Sequence, residues 1–295
     1  MKKIYFTWPN KITHRYGSMI AINLLARSVC ENLKESSIMG ASIPDFFIFN
    51  EPYENFKKND PSLLHIKSHT ISSKLVAHLI NQAEYSGAIL ETSALWYPNF
   101  KSQKFFLQKK ANKLLQTRPK NKLFELDFLI HLRLGDVLDP LFHKKKMYFP
   151  LNIDYYKKIA DETGITPTFI GQLTKSKYLD ELKKKFPKSE FHDPDKITTF
   201  LSIMTARKKI LSLSSFCWFA AWCGNDNTKI HLPVTGFYDP INSDKFLMPF
   251  DDNRYIFDYI DRNKFKNSKS NLITKLKILY NKARLKYNVL RHPEN

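Results

Sequence analysis

The sequence predicts an α/β protein built as two Rossmann-like halves facing a cleft, and three observations carry that expectation. The first is length: 295 residues exceed the usual single domain and fall short of three. The second is an alternation of strand-like apolar runs with amphipathic helical stretches along both halves of the chain. The third is the run Phe128-Leu-Ile-His-Leu-Arg-Leu-Gly-Asp136, apolar until it ends in His131, Arg133 and Asp136. Such a run reads as a buried parallel strand, and ligands of open α/β sheets bind just beyond the carboxyl ends of such strands.

Taken in order, the first half predicts a strand over Lys3 to Thr7, a helix from about Ser18 to Leu33 and a strand over Phe46 to Asn50. A helix near Ser73 to Gln82, a short strand over Ala88 to Leu90 and a helix from Lys104 to Leu115 follow. Short apolar runs give the strands; apolar residues three and four apart give the helices. Arg118-Pro-Lys-Asn-Lys122 is a polar, Pro-containing break and reads as the linker, so the halves span 1–122 and 123–261. The second half predicts strands over Phe128 to Leu134, Pro167 to Gly171, Ser189 to Phe191, Lys209 to Leu213 and Lys229 to Leu232. Helices over Asp154 to Thr163, Ser176 to Phe186, Ile197 to Ala206 and Cys217 to Cys223 separate them.

Composition excludes several classes of function. With 43% hydrophobic and 14% aromatic residues the chain can bury a sizeable core. Cys30, Cys217 and Cys223 form neither a disulfide framework nor a CxxC zinc pattern, which fits a reducing compartment. Trp8-Pro-Asn10 interrupts the apolar start, so neither a signal peptide nor a membrane span is expected there. Nucleic acid is not the expected partner: Phe46-Phe-Ile-Phe49 and Phe216-Cys-Trp-Phe219 interleave aromatic and aliphatic residues as buried elements do, and no RNP, zinc-finger or helix-turn-helix signature occurs.

The formal charge is +19, and residues 262–295 hold ten Lys or Arg against Glu294 alone, or +9. Within this tail Leu272, Leu276, Leu279, Ala283, Tyr287 and Leu290 recur at helical spacing among lysines and arginines. A basic amphipathic helix of this kind suits an anionic membrane surface, reached through residues 264–291, or a solvated face packed on the protein. The expected location is the inner face of the cytoplasmic membrane.

Two strand ends carry chemistry. Arg133 offers a planar fork suited to phosphate, His131 can donate or accept, and Asp136 can orient either. In Lys208-Lys-Ile-Leu-Ser-Leu-Ser-Ser-Phe-Cys-Trp-Phe219 a strand stops at Ser214-Ser215 and a helix begins, which makes a ready anion site or an ordinary Ser cap. Asp193-Pro-Asp195 matches an Asp-x-Asp metal motif superficially, but two acids flanking a proline are common in turns, and no metal is expected. His143 and Lys144-Lys-Lys146 read as a solvated loop.

These segments resemble the inverting fucosyltransferase superfamily, which includes the bacterial α-1,2 and the α-1,6 core and nodulation enzymes. His131-Leu-Arg-Leu-Gly-Asp136 is similar to its His-x-Arg-Arg-x-Asp strand end, with Leu134 for the second Arg. Leu213-Ser-Ser-Phe-Cys-Trp-Phe219 is similar to its Asn-Ser-Ser-Phe-Ser-Trp-Trp. Arg15-Tyr-Gly-Ser-Met19 resembles its Gly-containing loop near the nucleotide. The three motifs stand in the family's order and span most of the first 240 residues.

The resemblance implies a GT-B-like fold with an N-terminal acceptor side and a C-terminal donor side. It implies that Arg133 contacts the β-phosphate of a nucleotide sugar and His131 lines the nucleotide pocket. Ser214, Ser215 and Phe216 would cradle phosphate, with Tyr16 and Gly17 closing from the other half. The implied reaction is an inverting, metal-independent transfer of fucose or a related sugar from a nucleotide-diphosphate donor, with no cofactor, to a surface-glycan or lipid-linked acceptor. Asp136 and Asp139 are the candidates for the base that takes the acceptor proton, Asp136 alternatively serving to orient Arg133. Two positions depart from the family. Thr199 stands where it usually has an Asp associated with guanine, and Gly171-Gln172 where it has a Ser-Asp-Asp turn. The donor thus stays open between GDP-fucose and another nucleotide sugar, and a noncatalytic polyanion-binding module is the rival from another class.

Overall fold

In both halves βα units follow one another, so successive strands run parallel, and each half builds a parallel sheet of its own. The computed structural model describes residues 1–6, 16–39, 60–67, 71–91, 95–138, 147–240 and 246–260. The expected strand over 46–50, Arg15, Asp139, His143, the 144–146 lysines and the basic tail 262–295 lie outside the described residues.

The first sheet holds β1 (Lys2–Phe6), β2 (Ser36–Met39), β3 (Leu63–Ile66) and β4 (Gly87–Leu90) in the order β2-β1-β4-β3, all parallel. Helix α1 (Tyr16–Glu31) connects β1 to β2, and α2 (Ser73–Gln82) connects β3 to β4. Ser72 caps α2 through the Leu75 amide, and Val76, Ala77 and Ile80 turn inward at helical spacing. Helix α3 (Lys104–Gln116) follows and ends where the polar break begins.

The second sheet holds β5 (Phe128–Arg133), β6 (Thr168–Gln172), β7 (Phe191–His192), β8 (Lys208–Ile210), β9 (Lys229–Val234) and β10 (Tyr255–Tyr259). Helices α4 (Ile153–Thr163), α5 (Lys177–Lys185), α6 (Lys196–Thr205) and α7 (Ser215–Trp222) alternate with them. The order β10-β9-β8-β5-β6-β7 is that of a dinucleotide-binding Rossmann sheet. Two α/β halves of Rossmann type are therefore the architecture, as the alternation predicts.

Three strands escape the sequence pattern. β2 and β3 are four residues each and, unlike the equally short β4 with its unbroken Ala88-Ile-Leu90, mix polar with apolar residues, and β10 follows a turn that the alternation does not announce. β8 ends at Ile210, short of the expected Leu213, because the chain then departs into the turn that carries Ser212 and Ser214. The halves share one continuous core. At its centre α7, apolar on every side, lies against Tyr97 and Phe100, which makes it a fully buried helix.

Candidate functional site

The sheet order reverses between β5 and β8, which are neighbours although two strands separate them in sequence. A crevice at such a switch point is where open α/β sheets bind ligands. The register pairs Phe128 with Lys208 and Ile130 with Ile210. Extended past the strand ends, this offset sets Arg133 beside Leu213, and the Arg133 Nη1 donates to the Leu213 carbonyl at 3.2 Å. Two motifs far apart in sequence are thereby joined by strand pairing alone.

Arg133 is held on all sides. Its Nε donates to Asp136 Oδ1 at 2.9 Å, its Nη2 donates to Asp136 Oδ2, and its guanidinium lies 4.7 Å from the Tyr148 ring centre. Asp136 opens a short 3-10 turn over Asp136–Leu138, three residues on, and reaches back as a fork to the guanidinium. Of the two roles open to Asp136 in the sequence, orienting Arg133 is the one this geometry performs.

The turn after β8 is fixed from below by three further side chains. His131 Nδ1 and Ser212 Oγ are 2.7 Å apart, Tyr238 Oη donates to the Ser214 carbonyl at 2.7 Å, and Cys217 Sγ donates to the same carbonyl at 3.1 Å. Burial pushes the Cys217 thiol up to about 11, so it stays protonated. His131 is only 5% exposed, and burial, aided by the Arg133 charge, lowers it to about 3. It is thus a neutral side chain that holds Ser212 from within the sheet end, one residue pair below Arg133.

Ser214 is the N-cap of α7 and makes no capping bond with its side chain. The preceding helices differ: Asn152, Ser176 and Asp195 each satisfy an amide of α4, α5 and α6. The N-terminal amides of α7 thus lack the side-chain acceptor that the other helices in this half possess, next to a fixed cation.

The first half reaches this turn through α1. A Cβ added at Gly17 would come within 2.3 Å of Ser215 Oγ and 2.5 Å of the Phe216 nitrogen, so only glycine permits the approach. Tyr16 and Phe216 meet edge to face at 6.3 Å, and Lys196 Nζ donates to Tyr16 Oη at 2.9 Å while lying 4.4 Å from its ring centre. Thr199 is one turn along α6 from Lys196; it is buried, and its hydroxyl donates to the Asp195 carbonyl at 3.0 Å. This commits the hydroxyl proton of Thr199, the position where the resembled family has its guanine-associated Asp, to its own helix. Gly171 has φ +135, and a side chain there would strike the Leu132 carbonyl at 2.0 Å. Gln172 follows as the register partner of Arg133.

Arg133, Asp136, Ser214, Ser215, Phe216, Gly17 and Tyr16 are thus brought together, whereas Asp139 lies outside the described residues. Tyr148, Ser212, Tyr238 and Lys196 were not singled out from sequence; only Ser212, two residues before Ser214 in the same motif, carried a local signal. Asp195 caps α6 and Asp193 accepts from the Leu173 amide at 3.3 Å, so the Asp-x-Asp pair serves the backbone. Among the described residues no group of three or more His, Cys, Asp or Glu side chains is placed to hold a metal ion. A separate groove of about 390 Å³ lies at the amino ends of β9 and β10, where Lys104 and Arg254 both meet Asp252, at 3.4 and 2.7 Å.

No protein-family model matches the sequence, and no curated protein matches it. Among solved structures it is similar to E. coli heptosyltransferase WaaC with ADP, at a TM-score of 0.47 and 9% identity, over 93% of this chain and 98% of that one. It is similar to POFUT1 in complex with GDP at a TM-score of 0.40 and 12% identity, over 75% of this chain and 94% of that one. A putative UDP-N-acetylglucosamine 2-epimerase from Listeria monocytogenes gives a TM-score of 0.38 and 10% identity, over 78% of each chain.

Proposed function

We propose that this chain is a glycosyltransferase that binds the diphosphate of a nucleotide-sugar donor over the carboxyl ends of β5 and β8. One observation carries the proposal: a guanidinium locked by Asp136 and Leu213 stands beside the uncapped start of α7 at the switch point of a Rossmann sheet. Departure of a nucleoside diphosphate leaves negative charge on its β-phosphate, and a preorganised cation with helix amides neutralises that charge without reorganising. Arg133 spends three of its five N–H donors on Asp136 and Leu213, which leaves two for phosphate. No metal is needed for that step.

The resemblance to inverting fucosyltransferases at three motifs favours fucose or a related sugar, with GDP-fucose as the first donor to test. Thr199 and Gln172 sit where the donor base or sugar would be distinguished from that of the family. Because Asp136 is occupied by Arg133, Asp139 is the better candidate for the base that takes the acceptor proton. A surface glycan or lipid-linked acceptor, reached from the inner face of a membrane, completes the proposal.

The test is a thermal-shift panel of GDP, UDP, CMP and their sugars at about 0.3 M salt, where surface charge is largely screened. A ligand at a hundred times its Kd adds about 2.7 kcal/mol of stability. Selective stabilisation by one nucleotide, lost in Arg133→Ala, is the expected result. The same variant should lose about 10²- to 10³-fold in transfer rate, and Arg133→Lys should rescue little because the fork is lost. Absence of any nucleotide effect, with salt-sensitive binding to every polyanion, would replace catalysis with a noncatalytic binding role.

A further inference from the structure

Helix α3 carries a surface that the proposed reaction does not use. Residues 101–122 contain eight Lys or Arg and neither Asp nor Glu. Leu107 and Ala111 turn α3 inward, while Phe105, Lys109 and Lys113, four residues apart, share the opposite face. Phe105 is 75% exposed, beside a core that buries most of the other phenylalanines among the described residues. Lys109, Lys113 and Lys120 have no acidic partner within ion-pair distance among the described residues. Lys101, Lys104 and Lys122, by contrast, pair with Asp251, Asp252 and Glu190 and count as neutralised.

The other lysine-rich helices are built differently. In α4 Lys157 pairs with Asp161 and Lys158 with Glu162, and in α5 Lys177 pairs with Glu181, each four residues on. Lys185 of α5 also pairs with Asp154, and Lys183 lies over the Phe191 ring, which leaves Lys184 of α5 alone in these two helices without either contact among the described residues; these are ordinary solvated faces with largely compensated charge. Only α3 among these three combines uncompensated lysines with a bare aromatic ring. A polyanion without apolar faces would attract the lysines but leave Phe105 wet, and a single strand of nucleic acid could stack a base on it, whereas an anionic bilayer offers charge at its surface and an apolar layer just beneath it.

We infer that the Phe105–Lys109–Lys113 face of α3 docks on an anionic lipid bilayer, with the ring inserted below the headgroups. This contact stands apart from the donor site and uses none of its residues.

The experiment uses the full chain and vesicles of phosphatidylcholine with or without roughly one-third phosphatidylglycerol. Lys109→Gln/Lys113→Gln should lower the partition coefficient on the anionic vesicles about 25-fold, at about 1 kcal/mol per lysine. Phe105→Trp, read against the wild-type chain with its own four Trp as the blank, should gain fluorescence quenching by brominated lipid. Binding that the double variant leaves unchanged, or a Trp at 105 that brominated lipid does not quench, would overturn the inference and assign any membrane affinity elsewhere. So would wild-type chain that stays unbound on anionic vesicles, or that binds single-stranded DNA with the same dependence on Phe105→Ser.

Discussion

Among single residues, His131 joins chemistry to stability most directly. Its imidazole is buried and lowered to about 3, whereas the same group in the unfolded chain titrates near 6.5. As pH falls below about 6.5, the unfolded chain takes up a proton that the folded chain refuses, so stability is lost toward acid. The slope for one such group is about 1.4 kcal/mol per pH unit. His131→Gln can keep a polar contact with Ser212 and does not titrate. Urea unfolding between pH 7 and 4 should therefore give a shallower acid loss for the variant, and parallel curves would contradict the assignment. Much of this neighbourhood was legible in the residues themselves. A strand that turns from apolar to His-x-Arg-x-x-Asp announces a site, and the spacing of Arg133 and Asp136 allows the fork they form. What could not be read was depth: nothing local says that His131 is closed over by Ser212 while Arg133, two residues on along the same face, stays at the rim, or that the Thr199 hydroxyl turns back on the Asp195 carbonyl.

Between elements, the contact of α1 with α7 decides the site. Gly17 lies against the first residues of α7 with no room for a methyl group, and the obstructing atoms include the backbone of Ser215 and Phe216, which cannot swing aside. Gly17→Ala should force the two helices apart at a cost of about 1–3 kcal/mol, measured by denaturant unfolding, and weaken nucleoside-diphosphate binding in parallel. An alanine variant with wild-type stability and affinity would show that the approach is dispensable. Helices α2 and α3 and the strands β5 and β9 follow from the sequence pattern because each has enough residues for its period to show. β2, β3 and β10 do not, since pairing partners rather than their own composition make them strands. The meeting of Gly17 with Ser215 is a contact across nearly two hundred residues, and no local rule reports such a pair.

Across the whole molecule, the two sheets are bound by more than a linker. The Tyr97 amide donates to the Phe246 carbonyl at 2.7 Å, and the Phe246 amide donates to the Leu95 carbonyl at 2.8 Å. Phe100 lies 6.1 Å from Trp218, 5.3 Å from Phe219 and 5.8 Å from Trp222, ring centre to ring centre, with no exposed surface of its own. Phe100→Ala should cost about 3–5 kcal/mol, the range for emptying a buried aromatic site. Because that ring belongs to the segment before α3 and its neighbours to α7, the loss should appear in calorimetry as one transition moved downward. Two separated transitions in the wild-type chain would mean that the halves unfold independently. Two βα-rich halves were plain from the alternation of segments, but their shared aromatic centre was not, since Phe100 looks in sequence like any other apolar residue just ahead of a lysine-rich helix.

The glycine at the start of α1 also bears on how such a protein can diversify. Exchange of the second half for one from a different lineage would bring in a new helix end opposite Gly17, shaped for another neighbour, and the joint would fail before any new ligand could be tried. Side chains around the rim, such as Gln172 and Lys196, face no comparable constraint. New binding preferences should therefore arise here by point substitution at the rim, with both halves inherited together as one unit.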